Sequence, residues 1–338
     1  MKAAIFRSSG EPLTIEETPK PEPGPGEMVL RVVACGVCHT DLHYTDHNVP
    51  TFKKPPIVLG HEISGIVDET GPGVDGWKKG DRVLLPAVVT CGECELCRAG
   101  RENICLNMIM WGNHADGGYA EYVKAPAKDA VRIPGSLDLE ASCIIADALS
   151  TPYHAVANRA RVKKGELVAV FGCGGVGINA VQFASAAGAR VFAVDKDEEK
   201  LELARSFGAS EVVVGSEDLP KRLKKLTSGG VDVAIECIGN PDTVRQGLAS
   251  IRRGGRVCVV GFCDRPAEVN VGRIMFFEQQ LIGSLGCRPA DYDVIVKMVE
   301  AGTIKLSPLV TGRFPLDGVN DALDQLRAGK GFRNIVMP

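Results

Sequence analysis

Aromatic residues are scarce in this chain, at 5%, and neither charge sign dominates: 39 Lys and Arg stand against 42 Asp and Glu, a formal net charge of −3. The near balance excludes the basic field with which a nucleic-acid-binding protein neutralises phosphates. No run approaches the roughly 18 consecutive apolar residues that a membrane helix needs. The first residues, MKAAIFRSSG, lack the basic-then-apolar order of an export signal. The chain is therefore expected to be cytoplasmic, with neither nucleic acid nor membrane as partner. What is plentiful is glycine (39), proline (20) and cysteine (12). In a reducing compartment, clustered thiols serve metal rather than disulfides. Cys237 and Cys258 sit in apolar, strand-like runs and read as buried, inert thiols.

At 338 residues the chain has room for two domains, and its pattern changes near residue 150. Before that point short β-branched runs, Met28 to Val33, Ile63 to Val67 and Arg82 to Leu85, are separated by turn signals such as Pro23-Gly24-Pro25-Gly26. They predict an irregular, mostly β domain. From about Ala155 apolar strands alternate with amphipathic helices, which predicts an α/β domain with a doubly wound parallel sheet. Its strands are expected at Leu167 to Phe171, Arg190 to Val194, Glu211 to Val214, Val231 to Glu236, Gly255 to Gly261 and Leu281 to Leu285. A helix at Asp291 to Ala301, another at Val319 to Ala328 and a last strand at Arg333 to Met337 return to the mixed pattern of the first domain.

Cys91, Cys94, Cys97 and Cys105 form a C-x2-C-x2-C-x7-C run, the spacing with which one tight loop wraps a tetrahedral zinc ion. A second metal set, Cys38, His61 and Asp147, lies outside that run. After the strand ending at Phe171 comes Gly172-Cys173-Gly174-Gly175-Val176-Gly177, followed by a helix-like run. Glycines at its first, third and sixth positions permit a tight turn, close approach of a pyrophosphate and close helix packing, with the helix N-terminus facing the phosphates. The next strand ends at Asp195, an acid placed to accept the ribose hydroxyls and repel a 2′-phosphate. NAD is thus expected over NADP, although Lys196 weakens that preference; the bland alternative makes Asp195 a helix cap. His47, His114 and His154, taken one at a time, are expected to be surface or hydrogen-bonded residues without a metal role. Trp111 either lines a substrate pocket or packs beneath the four-cysteine lobe.

The segments CHTDLH (Cys38 to His43), GHE (Gly60 to Glu62), GDRV (Gly80 to Val83), the four-cysteine lobe, DGGYAEYV (Asp116 to Val123) and the glycine loop occur in this order. Together they resemble the zinc-dependent medium-chain alcohol dehydrogenases over essentially the whole chain. The resemblance implies a GroES-like catalytic domain from residues 1–150 and 288–338, and a Rossmann domain from 151–287. It implies two zinc ions per chain. Cys38, His61 and Asp147 match the catalytic zinc ligands, although a cysteine usually stands where Asp147 does, and Cys143 is the rival for that role. Glu62 is expected as a transient fourth ligand or as a group stabilising the site from behind.

The resemblance also assigns a proton relay, in which Thr40 takes the alcohol proton, the nicotinamide ribose passes it on and His43 releases it. Asp41 would orient His61. His39 and Arg333 would meet the cofactor pyrophosphate and Lys200 the adenosine ribose; Thr151, Gly175, Val176 and Gly239 complete the expected cofactor positions. The implied activity is hydride transfer between an alcohol, or its aldehyde or ketone, and NAD. Alternatives are a polyol or sugar dehydrogenase, a cyclic secondary alcohol (including cyclic hydroxyacyl-CoA) dehydrogenase, and a non-enzymatic NAD- and zinc-binding sensor. A homotetramer is expected, with dimers formed by edge pairing of Leu281 to Leu285.

Overall fold

The computed structural model describes residues 1–263 and 265–338. The chain folds as two compact units, one of Met1–Asp147, Arg288–Gly302 and Leu306–Pro338, the other of Ala148–Cys287 and Thr303–Lys305.

In the first unit the strands Val131–Arg132, Arg82–Leu85, Glu62–Thr70, Glu27–Gly36, Arg333–Met337 and Val310–Pro315 lie side by side, and Tyr122–Pro126 also pairs with Glu27–Gly36. Alternation along Glu27–Gly36 sends Met28, Leu30, Val32 and Cys35 into a core with Ile57, Leu59, Ile63, Leu85 and Tyr119. Its antiparallel register with Glu62–Thr70 slips twice, between Val29 and Leu30 and between Val32 and Ala34, and ends with Gly36 opposite Glu62. These slips decide where the strand ends come together. A Cβ on Gly36 would lie 1.9 Å from Glu62 Oε2, so glycine there leaves room for the buried Glu62 side chain. His61 just precedes one strand and Cys38 just follows the other, so the pairing delivers both to one place. The tail strand Arg333–Met337 pairs with Glu27–Gly36 through Ile335 and Val336, and so belongs to this sheet.

The second unit holds six parallel strands in the order Glu211–Val214, Arg190–Asp195, Leu167–Phe171, Val231–Glu236, Ile251–Val259 and Gln280–Gly283. Numbered along the chain this is 3-2-1-4-5-6, the doubly wound dinucleotide-binding order. The α/β, two-architecture fold expected from the sequence is thus observed. Two strands differ in extent. Ile251–Val259 starts before the expected Gly255, and the last strand is Gln280–Gly283, leaving Ser284 and Leu285 outside it. The helices start where the sequence supplies caps: Asp197 accepts the backbone N–H groups of Glu199 and Lys200, and Asn240 that of Asp242, with Pro241 at the first helical position.

Candidate active site and metal centres

The four lobe sulfurs lie 3.4 to 3.9 Å apart over four pairs: Cys91–Cys105, Cys94–Cys97, Cys91–Cys97 and Cys94–Cys105. A tetrahedron with zinc–sulfur bonds of about 2.3 Å has edges of about 3.8 Å, so the donor set has the dimensions of the ion. The local fold prepares the thiolates. Backbone N–H groups of Cys94 and Cys91 donate to Cys91 Sγ and Cys105 Sγ, both at 3.4 Å, and Asn107 donates to Cys105 at 3.3 Å. The N–H groups of Glu93 and Cys94 draw the Cys91 thiol below its ordinary pKa, while burial among the other sulfurs pushes Cys97 up.

A second donor group comprises Cys38, His61, Glu62 and Asp147, whose ligand atoms all lie within 4.8 Å of one another. Asp147 Oδ2 is 3.7 Å from Cys38 Sγ and 3.6 Å from His61 Nε2. His61 is 1% exposed and its buried Nε2 has no hydrogen-bond partner. A buried imidazole nitrogen facing a thiol and a carboxylate without a hydrogen bond has the donor chemistry of a zinc site. Burial alone would hold His61 neutral, but the adjoining Asp147 carboxylate and Cys38 thiol outweigh it and favour the protonated ring when no cation is there. Cys143 is not in this group. It is fully buried, and its thiol is pushed well up, first by desolvation and then by the Glu62 charge.

Around the donors stands a buried polar frame. Asp41, in the first turn of helix His39–Thr45, accepts the Cys38 N–H at 3.0 Å through Oδ2, and its Oδ1 lies 4.0 Å from His61 Nδ1. Thr40 Oγ1 is 3.7 Å from Cys38 Sγ, His43 is partly exposed, and His39 is exposed. Arg333, placed by the sequence at the pyrophosphate, is 5% exposed and ion-paired with the fully buried Glu62. Desolvation raises the Glu62 pKa to about 7 against the pull of that guanidinium.

Sequence reasoning missed Tyr119. It is fully buried, its hydroxyl donates to Asp41 Oδ2 at 2.9 Å, and its ring packs so tightly on Gly60 that a Cβ there would lie 2.9 Å from it. Gly60 has φ +91° and precedes His61. The only signal in the sequence is a bulky hydroxyl-bearing residue in the otherwise small run Gly117-Gly118-Tyr119-Ala120. Trp111 packs in the core with Nε1 donating to the Pro86 carbonyl at 3.0 Å.

In the second unit Gly172 has φ +87°, and a Cβ on Gly177 would sit 1.7 Å from the Gly172 carbonyl oxygen, whereas one on Gly174 would meet nothing within 4 Å. The tight turn and the close helix approach are thus bound to Gly172 and Gly177, and the loop stays open at Gly174. Helix Gly177–Ala186 starts there. Asp195 turns back on this loop: Oδ2 accepts the Cys173 N–H at 2.7 Å and Oδ1 the Asp197 N–H at 3.0 Å. The helix cap is Asp197, not Asp195. Lys200 pairs with Asp197 at 3.7 Å, and Gly239, at φ +78°, is closed in by the Phe262 carbonyl oxygen, 1.9 Å from where its Cβ would be. Thr151 lies in the short helix Ser150–Tyr153.

Comparison with known proteins matches this arrangement. Residues 24–135 match the alcohol dehydrogenase GroES-like domain and residues 175–301 the zinc-binding dehydrogenase domain. An alcohol dehydrogenase of Geobacillus stearothermophilus is 37% identical over 338 residues, covering 100% of this chain and 99% of its own length. A putative zinc-binding dehydrogenase of Sinorhizobium meliloti 1021, solved bound to NADP, superposes with a TM-score of 0.91 at 33% identity over 100% of this chain and 99% of its own. A cobalt- and zinc-bound thermostable alcohol dehydrogenase from Pyrobaculum aerophilum gives 0.90 at 32%, covering 100% and 99%. The chain belongs to the zinc-dependent medium-chain alcohol dehydrogenase family of oxidoreductases.

Proposed function

We propose that the protein interconverts a small alcohol and its aldehyde or ketone with NAD, that Cys38, His61 and Asp147 hold one zinc ion, and that Cys91, Cys94, Cys97 and Cys105 hold a second. The observation that carries this reading is the unpartnered, buried His61 Nε2 facing Asp147 and Cys38, with Thr40 alongside. When bound, zinc supplies Lewis acidity at a substrate oxygen and the nicotinamide ring supplies the hydride acceptor. Thr40 Oγ1, beside Cys38, would accept the alcohol proton, and the partly exposed His43 imidazole would release a proton to water. Asp41 keeps His61 oriented on the metal. Arg333 balances Glu62, which stays behind the ligands.

Asp195 supports NAD over NADP. Its carboxylate is fixed at the glycine loop by two backbone N–H groups, where a 2′-phosphate would meet a held negative charge. The Sinorhizobium relative was solved with NADP, so the family accommodates both cofactors and this one residue carries the preference here. His39, Thr151, Gly175, Val176, Gly239 and Lys200 are assigned to the cofactor with it. Cytoplasmic residence fits the twelve unbridged cysteines.

The test is the ultraviolet absorbance of NADH during incubation of zinc-loaded protein with primary, secondary and cyclic alcohols and polyols, with and without a chelator. NADH should accumulate with at least one class, faster with NAD than with NADP, and stop on chelation. Asp195→Ala should narrow the gap between the cofactors. No turnover of any class by zinc-replete protein would return the chain to the alternative of a binding protein; equal use of NADP by the wild type would remove Asp195 from its role.

A further inference from the structure

In the sequence His47 is a lone histidine; in the fold it faces His43. His43 lies in the last turn of helix His39–Thr45, and His47 follows it by four residues, just past the helix. Their Nδ1 atoms are 3.2 Å apart, with ring centroids 5.4 Å apart and planes tilted by 46°. As an N–H···N hydrogen bond this is at the long end of the range. As a chelate it fits: with metal–nitrogen bonds of about 2.0 to 2.1 Å, two donors 3.2 Å apart subtend an angle of about 100° at the ion, between octahedral and tetrahedral values. The adjoining acid, Asp46, offers no third ligand, since its oxygens hold the Arg327 guanidinium at 2.6 and 2.8 Å. His47 is exposed and His43 partly so, so water reaches the pair. Neither histidine belongs to the two donor groups already described.

We propose that His43 and His47 form a third, exchangeable site for a divalent transition cation, one distinct from both zinc centres. Imidazole donors select Cu2+, Ni2+ and Zn2+ in the order of intrinsic affinity, Ni2+ below Cu2+ and Zn2+ also below Cu2+, and pass over Mg2+ and Ca2+, which take oxygen ligands. Occupancy withdraws a His43 nitrogen from proton exchange, so excess metal inhibits the enzyme reversibly. This second consequence rests on the relay proposed above; the binding itself does not.

The experiment adds Ni2+ to the holoenzyme with both zinc sites filled, following bound metal by calorimetry and initial rate in parallel, for the wild type and His47→Gln. The wild type should bind one additional Ni2+ per chain and lose rate, recovering when the free metal is chelated. Even an outer-shell partner of a ligand is worth roughly 10-fold in metal affinity or more. His47→Gln, which loses a ligand outright, should therefore bind Ni2+ at least about 10-fold more weakly and be inhibited correspondingly later. Equal Ni2+ binding by both proteins would overturn the site. Tight binding that depends on His47 but leaves the wild-type rate untouched would sustain the site and overturn the role of His43 in proton release.

Discussion

At Asp147 a carboxylate oxygen stands where a thiolate would keep the donor set soft, and the charge count of the site is unchanged. If Asp147 is a ligand, Asp147→Asn should lose zinc and turnover together, because a neutral amide is a poor zinc donor. Cys143→Ser should change neither, since that thiol is fully buried and outside the donor group. Thr40→Ala should keep its zinc and lose rate, by a factor of about 100 or more if proton transfer is its part. Zinc content measured beside kcat separates the three; a zinc-replete, active Asp147→Asn would remove the assignment. Arg333→Leu tests the frame behind the ligands. It removes the Arg333 charge from Glu62, a carboxylate at zero exposure, and breaking such a buried pair costs about 3 to 5 kcal/mol, readable as a fall in the urea midpoint. An unshifted midpoint would show that Glu62 simply takes up a proton. Residue types at fixed spacing made the four lobe cysteines legible in the sequence, and the family resemblance supplied Cys38, His61 and Asp147. Tyr119 and the Arg333–Glu62 pair were not, because they arise where strands distant in sequence come into register, and no local pattern records that.

The glycine loop works as an element rather than as a set of residues. Gly177 is where helix Gly177–Ala186 meets the turn, and its hydrogen faces the Gly172 carbonyl where a methyl group would be 1.7 Å away. Gly177→Ala must push the helix off the strand, so it should weaken NAD binding and lower the melting temperature together. Gly174→Ala meets no atom of the protein and should affect only the bound cofactor. Calorimetric NAD titration beside a thermal melt distinguishes them, and equal NAD affinity in the Gly177 variant would sink the packing argument. The parallel strands were legible for a related reason. Being buried on both faces, Leu167–Phe171 is a short continuous apolar run and Val231–Glu236 one broken only by Asp232 before its terminal Glu236. The start of Ile251–Val259 was hidden because Arg252, Arg253 and Gly254 interrupt the apolar pattern, and the strand is irregular there, with Gly254 at φ +69° and the pairing with Val231–Glu236 jumping from Ile251 to Arg256. Gln280–Gly283 ends early for the opposite reason: Leu285 continues the apolar run but no longer pairs.

For the molecule as a whole, the two sheet edges of the second unit are unlike. At one edge Glu211–Val214 carries Glu211, paired with Arg190, a charge of the kind that discourages further strands. At the other, Gln280–Gly283 pairs on one side only, and Leu281 is 43% exposed. The helix Val271–Phe277 leading into that strand has no buried residue; Val271, Met275 and Phe276 are each at least 70% exposed, and Leu285 follows at 57%. Apolar surface beside a strand edge that, among the described residues, pairs with no further strand, and on which Arg159 takes only the Gly283 carbonyl at 2.8 Å, suits a strand of the same chemistry, which a second copy of this edge supplies by two-fold symmetry. We propose that the protein associates through it, as a dimer that can pair again into a tetramer. Light scattering at micromolar concentration should give at least twice the 35.9 kDa chain mass. Leu281→Lys with Phe276→Glu places charge on both parts of the face without touching a buried side chain, so it should yield a folded monomer with unchanged zinc content. A wild type that is monomeric and active would overturn the proposal. A double variant as large as the wild type would move the interface to another surface.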